Sequence, residues 1–481
     1  MTIGIGGAAG GNAGSAGSVA VNNLNTNTAN NGVLINAKGD ESIANYAGSI
    51  SASGSGAAGG LSVSFYNINS NVNNFVGNSN FLSNNADYSF NVRWFHREDA
   101  LLDAVVQKET FIPADTLATH RVTNTYKGVV IDANATHDIK SALFNIGVAG
   151  TGAAVNDTVN VNRINGSTAS DVKNTGFNTN ADVNVLAYDF SNAAGLVGTA
   201  SAAGTGAGVG LSVDVLKTKD RTTTTVNNSD ITLKNNANVK ATNNANVDYQ
   251  MYDVGAAAGG AGLAGSIGVA NVQNNVSTDL TNANLKTDKG KMDIAAQNNL
   301  DFENKAAVGG LAGLGGGVGI GVSVNTLDSS VNANVNGGSL NASEIDLKSV
   351  ENRNINQGVG VVAAGLGAAA SANIMITNVG KELDSSYESD TNKDRTEKDG
   401  TQVNVNENLN NANEASVNKV AKGDTLKSGG MNIELVSNAD KKVTAGGSTN
   451  SGTHINISGA MNADKISVNN LGTNNSRLVH G

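Results

Sequence analysis

The feature that most constrains the fold is a run rich in glycine and alanine that recurs along the chain. The segment "AAVGGLAGLGGGVGIGVSVNTL" (306–327) contains no charged residue and no proline. Each copy ends in alternating apolar residues followed by a segment rich in Asn, Thr and Ser. Self-similarity at a period near 50 residues indicates a solenoid, a propeller or an array. The other copies lie at 5–27, 47–71, 145–167, 195–216, 254–275 and 358–379.

The period can be measured from one apolar position that each copy contains. Successive positions differ by 44, 96, 54, 56, 53 and 52 residues, so most repeats span about 52–56 residues. The interval of 96 equals one repeat plus an insertion of about 40–45 residues, which we expect between Val63 and Val159. The positions used are Val19, Val63, Val159, Val213, Val269, Val322 and Ile374.

The pattern within each repeat is that of β-strands. Apolar residues alternate after each Gly/Ala run, as at Val213 and Val215, and turn-forming Asn, Gly, Ser and Asp separate the short segments. We interpret each repeat as three turns of about 18 residues, which gives about 25 turns and a coil on the order of 120 Å long. Small and β-branched side chains suit the inside of such a coil, and stacked asparagines can form amide ladders. The fold class is therefore all-β, an elongated parallel β-helix (β-solenoid).

Composition restricts the function classes. The net charge of -10 argues against a nucleic-acid partner, and the absence of cysteine excludes disulfides and thiol chemistry. We find no phosphate loop, no nucleophile motif and no array of calcium-binding repeats. The five histidines show no ligand spacing, so we expect no metal site and no cofactor. The chain is interpreted as a non-enzyme. It shows no signal peptide, so we interpret it as an internal fragment of a longer protein.

The repeats resemble those of a known family of bacterial surface proteins. The Gly/Ala runs followed by "GVSVNTLDSSVNANV" (321–335), and turns such as "NLKTDKGKMDIAAQNNLDFEN" (284–304) and "THINISGAMNADKISVNNLG" (453–472), are similar to those of filamentous haemagglutinin-type, leukotoxin-like filamentous adhesins of Gram-negative bacteria. The resemblance covers most of the chain except 80–130 and 380–428. It implies a right-handed β-helix shaft, export through an outer-membrane secretion partner, and a secreted or cell-surface location. It also implies attachment to a receptor on host cells or other bacteria.

One insertion is the strongest candidate for a binding surface. Residues 80–130 contain the chain's single tryptophan and single proline, and Glu98–Lys108 has the spacing of a short amphipathic helix. Aromatic and arginine side chains often act as interface anchors. Two interpretations stay open, a binding surface or a small satellite core that holds the insertion against the coil. The candidate binding residues are Tyr88, Trp94, Phe95 and Arg97.

The second insertion is charged and has no periodic apolar face. From Lys381 to Asp399, four basic residues oppose seven acidic ones, which is typical of a solvated, flexible loop. We therefore divide the chain into β-helix repeats, a partly helical insertion and a charged insertion, with the coil resuming near Met431. The boundaries are 1–79, 80–130, 131–379, 380–428 and 429–481.

Two functions remain after these exclusions. The first is a structural shaft segment of a secreted or surface-attached filamentous adhesin. The alternative is a segment of a pore-forming or cytolytic leukotoxin-like exotoxin, which the uncharged runs and the resemblance both allow. A membrane span requires about 20 strongly apolar residues, and runs made mainly of glycine and alanine do not meet that requirement. The adhesin is therefore the leading hypothesis.

Overall fold

The structure, a computed structural model, describes residues 2–29, 32–83, 89–95, 121–379, 425–428, 431–434 and 452–480. These residues form two long parallel sheets whose strands stack in sequence order, so the predicted parallel β-solenoid is confirmed. The first sheet, sheet A, contains β1 (Thr2–Asn22), β4 (Ala58–Gly77), β9 (Ala154–Lys173), β12 (Gly208–Asn227), β15 (Gly262–Thr281), β18 (Gly316–Asn336), β20 (Ala368–Val379) and β23 (Gly452–Ile457).

The second sheet, sheet B, contains both long and short strands. Its long strands are β3 (Val33–Ser53), β8 (Val129–Ala149), β11 (Val183–Ala203), β14 (Ala237–Ala257), β17 (Lys291–Ala312), β19 (Ser339–Ala364) and β24 (Ala460–His480). Its short strands follow the sheet A strands and are β2 (Asn25–Ala29), β5 (Asn80–Ser83), β10 (Gly176–Thr179), β13 (Asp230–Leu233) and β16 (Asn284–Thr287). Two antiparallel hairpins stand apart, β6 (Ser89–Phe95) with β7 (Arg121–Lys127), and β21 (Thr425–Ser428) with β22 (Met431–Glu434).

One repeat makes one turn of the coil. Gly208 of β12 pairs with Gly262 of β15, and Val183 of β11 pairs with Ala237 of β14, 54 residues away in both cases. The prediction of three turns per repeat is therefore wrong, and so is the length of 120 Å, because seven stacked turns rise only about 30 Å. The physical reason is that the Asn and Ser residues inside each repeat occupy ladder positions in strands of about 20 residues. Stacking against the neighbouring turn overrides their preference for turns.

The register corrects two of the positions used to measure the period. Val63 pairs with Val159 and Val159 with Val213, as expected, and the first of these steps spans 96 residues. Val213 pairs with Ile267 rather than Val269. At the start of the chain, Ala8 rather than Val19 lies opposite Val63.

Both insertions leave the ladder of the coil unbroken. The first lies between β5 and β8, and its described part is the hairpin β6–β7. The predicted helix at Glu98–Lys108 lies outside the described residues. The second insertion lies between β20 and β23, which together occupy one strand position in sheet A. β20 pairs with Gly316–Leu327 of β18, and β23 pairs with Ser330–Val335 of the same strand. Among the described residues, β23 joins the parallel ladder from Gly452, and β22, which begins at Met431, is antiparallel to β21.

A left-handed backbone position marks the same corner of successive turns. Asn78 (φ 48°), Asn228 (φ 47°) and Asn282 (φ 48°) each follow a sheet A strand, and Gly337 (φ 70°) occupies the equivalent position in the sixth turn. Asparagine and glycine tolerate positive φ better than other residues, which explains why this corner uses them. The serine or threonine that follows Asn78 and Asn228 bonds back to the chain, as where Ser229 Oγ donates to the Asn227 carbonyl at 2.9 Å.

The space between the sheets holds two apolar clusters. One includes Ile131 and Val185 together with Phe81 and Phe177, whose rings stack 5.0 Å apart. The other is built around residues such as Leu143, and it gives way to small side chains toward the turn that joins sheet B to sheet A. Between the two clusters lies a layer of buried polar side chains, so the interior is not uniformly apolar.

Candidate interaction edge and buried polar layer

The Gly/Ala runs form one edge of the flattened coil. In six of the seven copies the run comprises the end of a sheet B strand, a short turn, and the start of the next sheet A strand, whereas the copy at 5–27 lies in β1 and β2. We name this region the thin edge. It comprises residues 46–65, 142–161, 196–215, 250–269, 306–324 and 359–376.

Glycine lets the backbones of the two sheets approach each other at the thin edge. A Cβ added to Gly310 in β17 would come within 2.7 Å of the Val318 nitrogen in β18 and closer still to the Val318 carbonyl. A Cβ on Gly317 would overlap the Ala364 carbonyl in the same way. At these positions the sheets are separated by backbone alone, with no side chain between them. The low content of large residues in the runs follows from this contact.

The outer faces of the thin edge are apolar and exposed. On sheet A, Leu211 and Ile267 face solvent, and on sheet B, Val254 does so. At the turn itself Leu314 is 71% exposed and Leu366 is 82% exposed. Of the 25 large apolar side chains that are exposed among the described residues, 18 lie in the thin edge. The usual arrangement of a sheet is therefore reversed, with small residues inside and large apolar residues outside.

Charge is almost absent from the thin edge. Its residues include no Lys or Arg and three acidic residues, Asp157, Asp214 and Asp253. Burial raises the pKa of Asp214 to about 7 and that of Asp253 to about 6, while hydrogen bonds from Asn160, and from Ser212 and Thr199, act in the opposite direction. Burial also raises the pKa of Asp157, on the outer face. The edge therefore loses its few charges readily as the pH falls.

The turns of the thin edge bond to one another through their backbones. Gly204 N donates to the Ala149 carbonyl at 2.9 Å, and Gly259 N donates to the Gly204 carbonyl at 2.8 Å. Leu314 N donates to the Ala258 carbonyl at 3.0 Å. The edge therefore presents apolar side chains while neighbouring turns satisfy these polar backbone groups.

The candidate binding residues from the sequence are only partly described by the structure. Trp94 and Phe95 belong to β6, where they pair with Val122 and Arg121 of β7. Tyr88 and Arg97 lie outside the described residues. Sequence reasoning missed the exposed apolar surface of the thin edge. Its signal was the alternation of Val, Leu and Ile after each run, which we assigned to the interior of the coil.

The buried polar layer contains one cluster of ionisable groups. His137 in β8, Asp189 in β11 and Asp220 in β12 are each fully buried, and one ligand atom from each lies within 4.8 Å of the others. His137 Nε2 is 3.5 Å from Asp189 Oδ1, and His137 Nδ1 is 2.7 Å from Glu41 Oε2. Burial lowers the pKa of His137, but Asp189, Glu41 and Asp220 outweigh it and raise the pKa to about 10.

No local feature of the sequence indicates this cluster. His137 precedes Asp189 by 52 residues and Asp220 by 83, which matches no ligand motif. The only route to it would have been to fold the chain at one turn per repeat and then pair the two sheets. No family model, no curated protein and no solved structure matches the chain, so comparison with known proteins assigns no role to this cluster. The described residues contain no helix with the length and apolarity of a membrane span.

Proposed function

We propose that this chain is a structural segment of a secreted or surface-attached filamentous adhesin, and that its thin edge attaches the coil to the lipid of a target-cell membrane. The resemblance of the repeats to leukotoxin-like adhesins supports the first part. The observation that carries the second part is the apolar exterior of the thin edge on both outer faces and at the turn. Attachment to host cells or other bacteria would follow from contact with their membranes.

A lipid partner fits this surface better than a protein partner. A docked protein covers one face of a sheet, whereas lipid surrounds an inserted edge on both sides. The lack of Lys and Arg also favours insertion, because charged side chains are costly within hydrocarbon. Paired backbone groups at the turns meet the other requirement of a lipid environment. Eight residues of strand on each face extend about 26 Å, enough to cross the hydrocarbon of one leaflet.

Binding to vesicles tests the proposal. The full chain is mixed with phosphatidylcholine vesicles carrying an entrapped dye, and bound protein is separated by flotation. The variant L314K/L366K places two charges at the most exposed positions of the edge, and we expect its partition to fall at least tenfold. The matched control is L34K, which changes a residue 41% exposed on sheet B outside the thin edge. We expect L34K to bind as the wild type does.

The outcomes separate the competing functions. Binding of the wild type without dye release supports attachment. Dye release at the same protein concentration would favour the pore-forming or cytolytic alternative. Absence of binding, or equal binding by the wild type and L314K/L366K, would refute the role of the thin edge.

A further inference from the structure

We propose that His137, Asp189 and Asp220 form a structural site for a divalent transition-metal ion of the Zn²⁺ type, inside the coil and independent of the thin edge. The three residues lie on three different strands, two in sheet B and one in sheet A. A bound ion would therefore join the two sheets and also two successive turns. No feature of the proposed attachment function requires this site.

The first argument is that three buried ligand atoms converge on one space. His137 Nε2 and Asp189 Oδ1 face each other as an ion pair at 3.5 Å, but neither they nor Asp220 Oδ1 makes a well-formed hydrogen bond. Buried polar atoms are nearly always satisfied, so three unsatisfied atoms that converge indicate a missing ligand. The distance of 3.5 Å from His137 Nε2 to Asp189 Oδ1 matches the separation of about 3.4 Å expected between two ligands of a tetrahedral Zn²⁺ site.

The second argument is that the other atom of each ligand is already held. His137 Nδ1 faces Glu41 Oε2 at 2.7 Å, which leaves Nε2 available. Thr168 Oγ1 donates to Asp189 Oδ2 at 2.7 Å, and Ser191 Oγ donates to Asp220 Oδ2 at 2.5 Å. Metal sites in proteins use this arrangement, in which outer groups fix the orientation and tautomer of the ligands.

The third argument is that a glycine, Gly166, lies beside the ligand atoms. Gly166 lies between Ser70 and Asp220 in the sheet A ladder, where the following turns carry Asn274 and Ser329. A Cβ on Gly166 would come 2.7 Å from Asp220 Oδ1 and 2.8 Å from His137 Nε2. A side chain at this position would therefore crowd two of the three ligand atoms, and glycine avoids that contact.

The net charge of the cluster also favours a bound cation. Glu41, Asp189 and Asp220 surround one imidazole in the interior, so the ionised cluster has an excess of negative charge even when His137 is protonated. Buried charges without compensation are strongly unfavourable. A divalent cation bound to the neutral imidazole would reduce this excess from two negative charges to one.

Metal content after refolding tests the site. Because the ligands are fully buried, the full chain is unfolded in guanidinium with EDTA, then refolded with or without one equivalent of Zn²⁺ and desalted. We expect about one Zn²⁺ per chain by mass spectrometry of the metal, retained during dialysis. We expect D220N, which removes a ligand, and G166A, which fills the space, each to lower the content at least tenfold. The matched control D214N changes another buried carboxylate of β12, outside the cluster, and should retain the metal.

Two results would overturn the proposal. One is wild-type protein that refolds with less than about a tenth of an equivalent of Zn²⁺. The other is equal metal content in the wild type, D220N and G166A, which would place the ion outside this cluster. If circular dichroism shows that a variant does not fold, the visible absorption spectrum of the wild type refolded with Co²⁺ tests the site instead. An intense visible absorption typical of a tetrahedral site supports the proposal, and the weak spectrum of hydrated Co²⁺ contradicts it.

Discussion

Replacing Gly310 by alanine should destabilise the coil, whereas the same change at the neighbouring Gly309 should not. The two glycines are adjacent in β17, so a Cβ added to one would lie on the opposite face of the sheet from a Cβ added to the other. A Cβ on Gly310 would come within 2.7 Å of the Val318 nitrogen, although ordinary contacts of this kind are 3.4–4 Å. A Cβ on Gly309 meets only Val254 Cγ2, at 4.0 Å. The pair therefore isolates the contact between sheets from any general effect of removing glycine.

The size of the effect follows from what must move. To accept a methyl group at Gly310, the sheets must separate by more than about 0.7 Å, because that is the shortfall from an ordinary contact of 3.4 Å at the Val318 nitrogen and the Val318 carbonyl lies closer still. The obstacle is backbone, which has no alternative rotamer, and Gly310 is paired with Gly255 on one side and Ala363 on the other. We therefore expect G310A to cost about 3 kcal/mol, the upper end of overpacking penalties. G309A should change the free energy of unfolding by less than about 0.5 kcal/mol.

Urea unfolding followed by far-ultraviolet circular dichroism measures both variants against the wild type. G360A serves as a second control, because a Cβ on Gly360 meets no atom within 4 Å. Equal unfolding midpoints for G310A, G309A and the wild type would refute the conclusion that backbone contact between the sheets selects glycine in these runs.

Three further predictions concern other parts of the chain. The pKa of Asp214 is raised to about 7 in the folded state, whereas the unfolded chain releases this proton near pH 4. The free energy of unfolding should therefore fall as the pH rises from about 4 to about 7. D214N should remove that fall and be more stable by up to about 4 kcal/mol at pH 8 but not at pH 4, in urea titrations at both pH values. At the left-handed corner, N228G should leave the thermal midpoint nearly unchanged and N228A should lower stability by about 1 kcal/mol; equal effects would contradict the role of positive φ. Deleting residues 88–127 should leave vesicle binding intact, and loss of binding in a folded deletion variant would return the attachment site to the first insertion.

The sequence alone determined the class of fold, since a period near 54 residues with alternating apolar residues permits little other than a β-solenoid. It also located the first insertion, because the ladder from Val63 to Val159 had to skip 96 residues. These features are encoded locally or by simple repetition. They are therefore visible without knowing which residues meet in space.

The tertiary structure decided how the repeat is used. Whether 54 residues make one turn or three depends on which hydrogen bonds form between distant strands, and stacking overrode the turn preferences of Asn and Ser. It also decided which face of each apolar alternation is exposed, so most large side chains of "AAVGGLAGLGGGVGIGVSVNTL", including Leu311, Leu314 and Ile320, face outward and not into the predicted interior. The cluster of His137, Asp189 and Asp220 exists only through pairing of the two sheets, since its members are far apart in the chain.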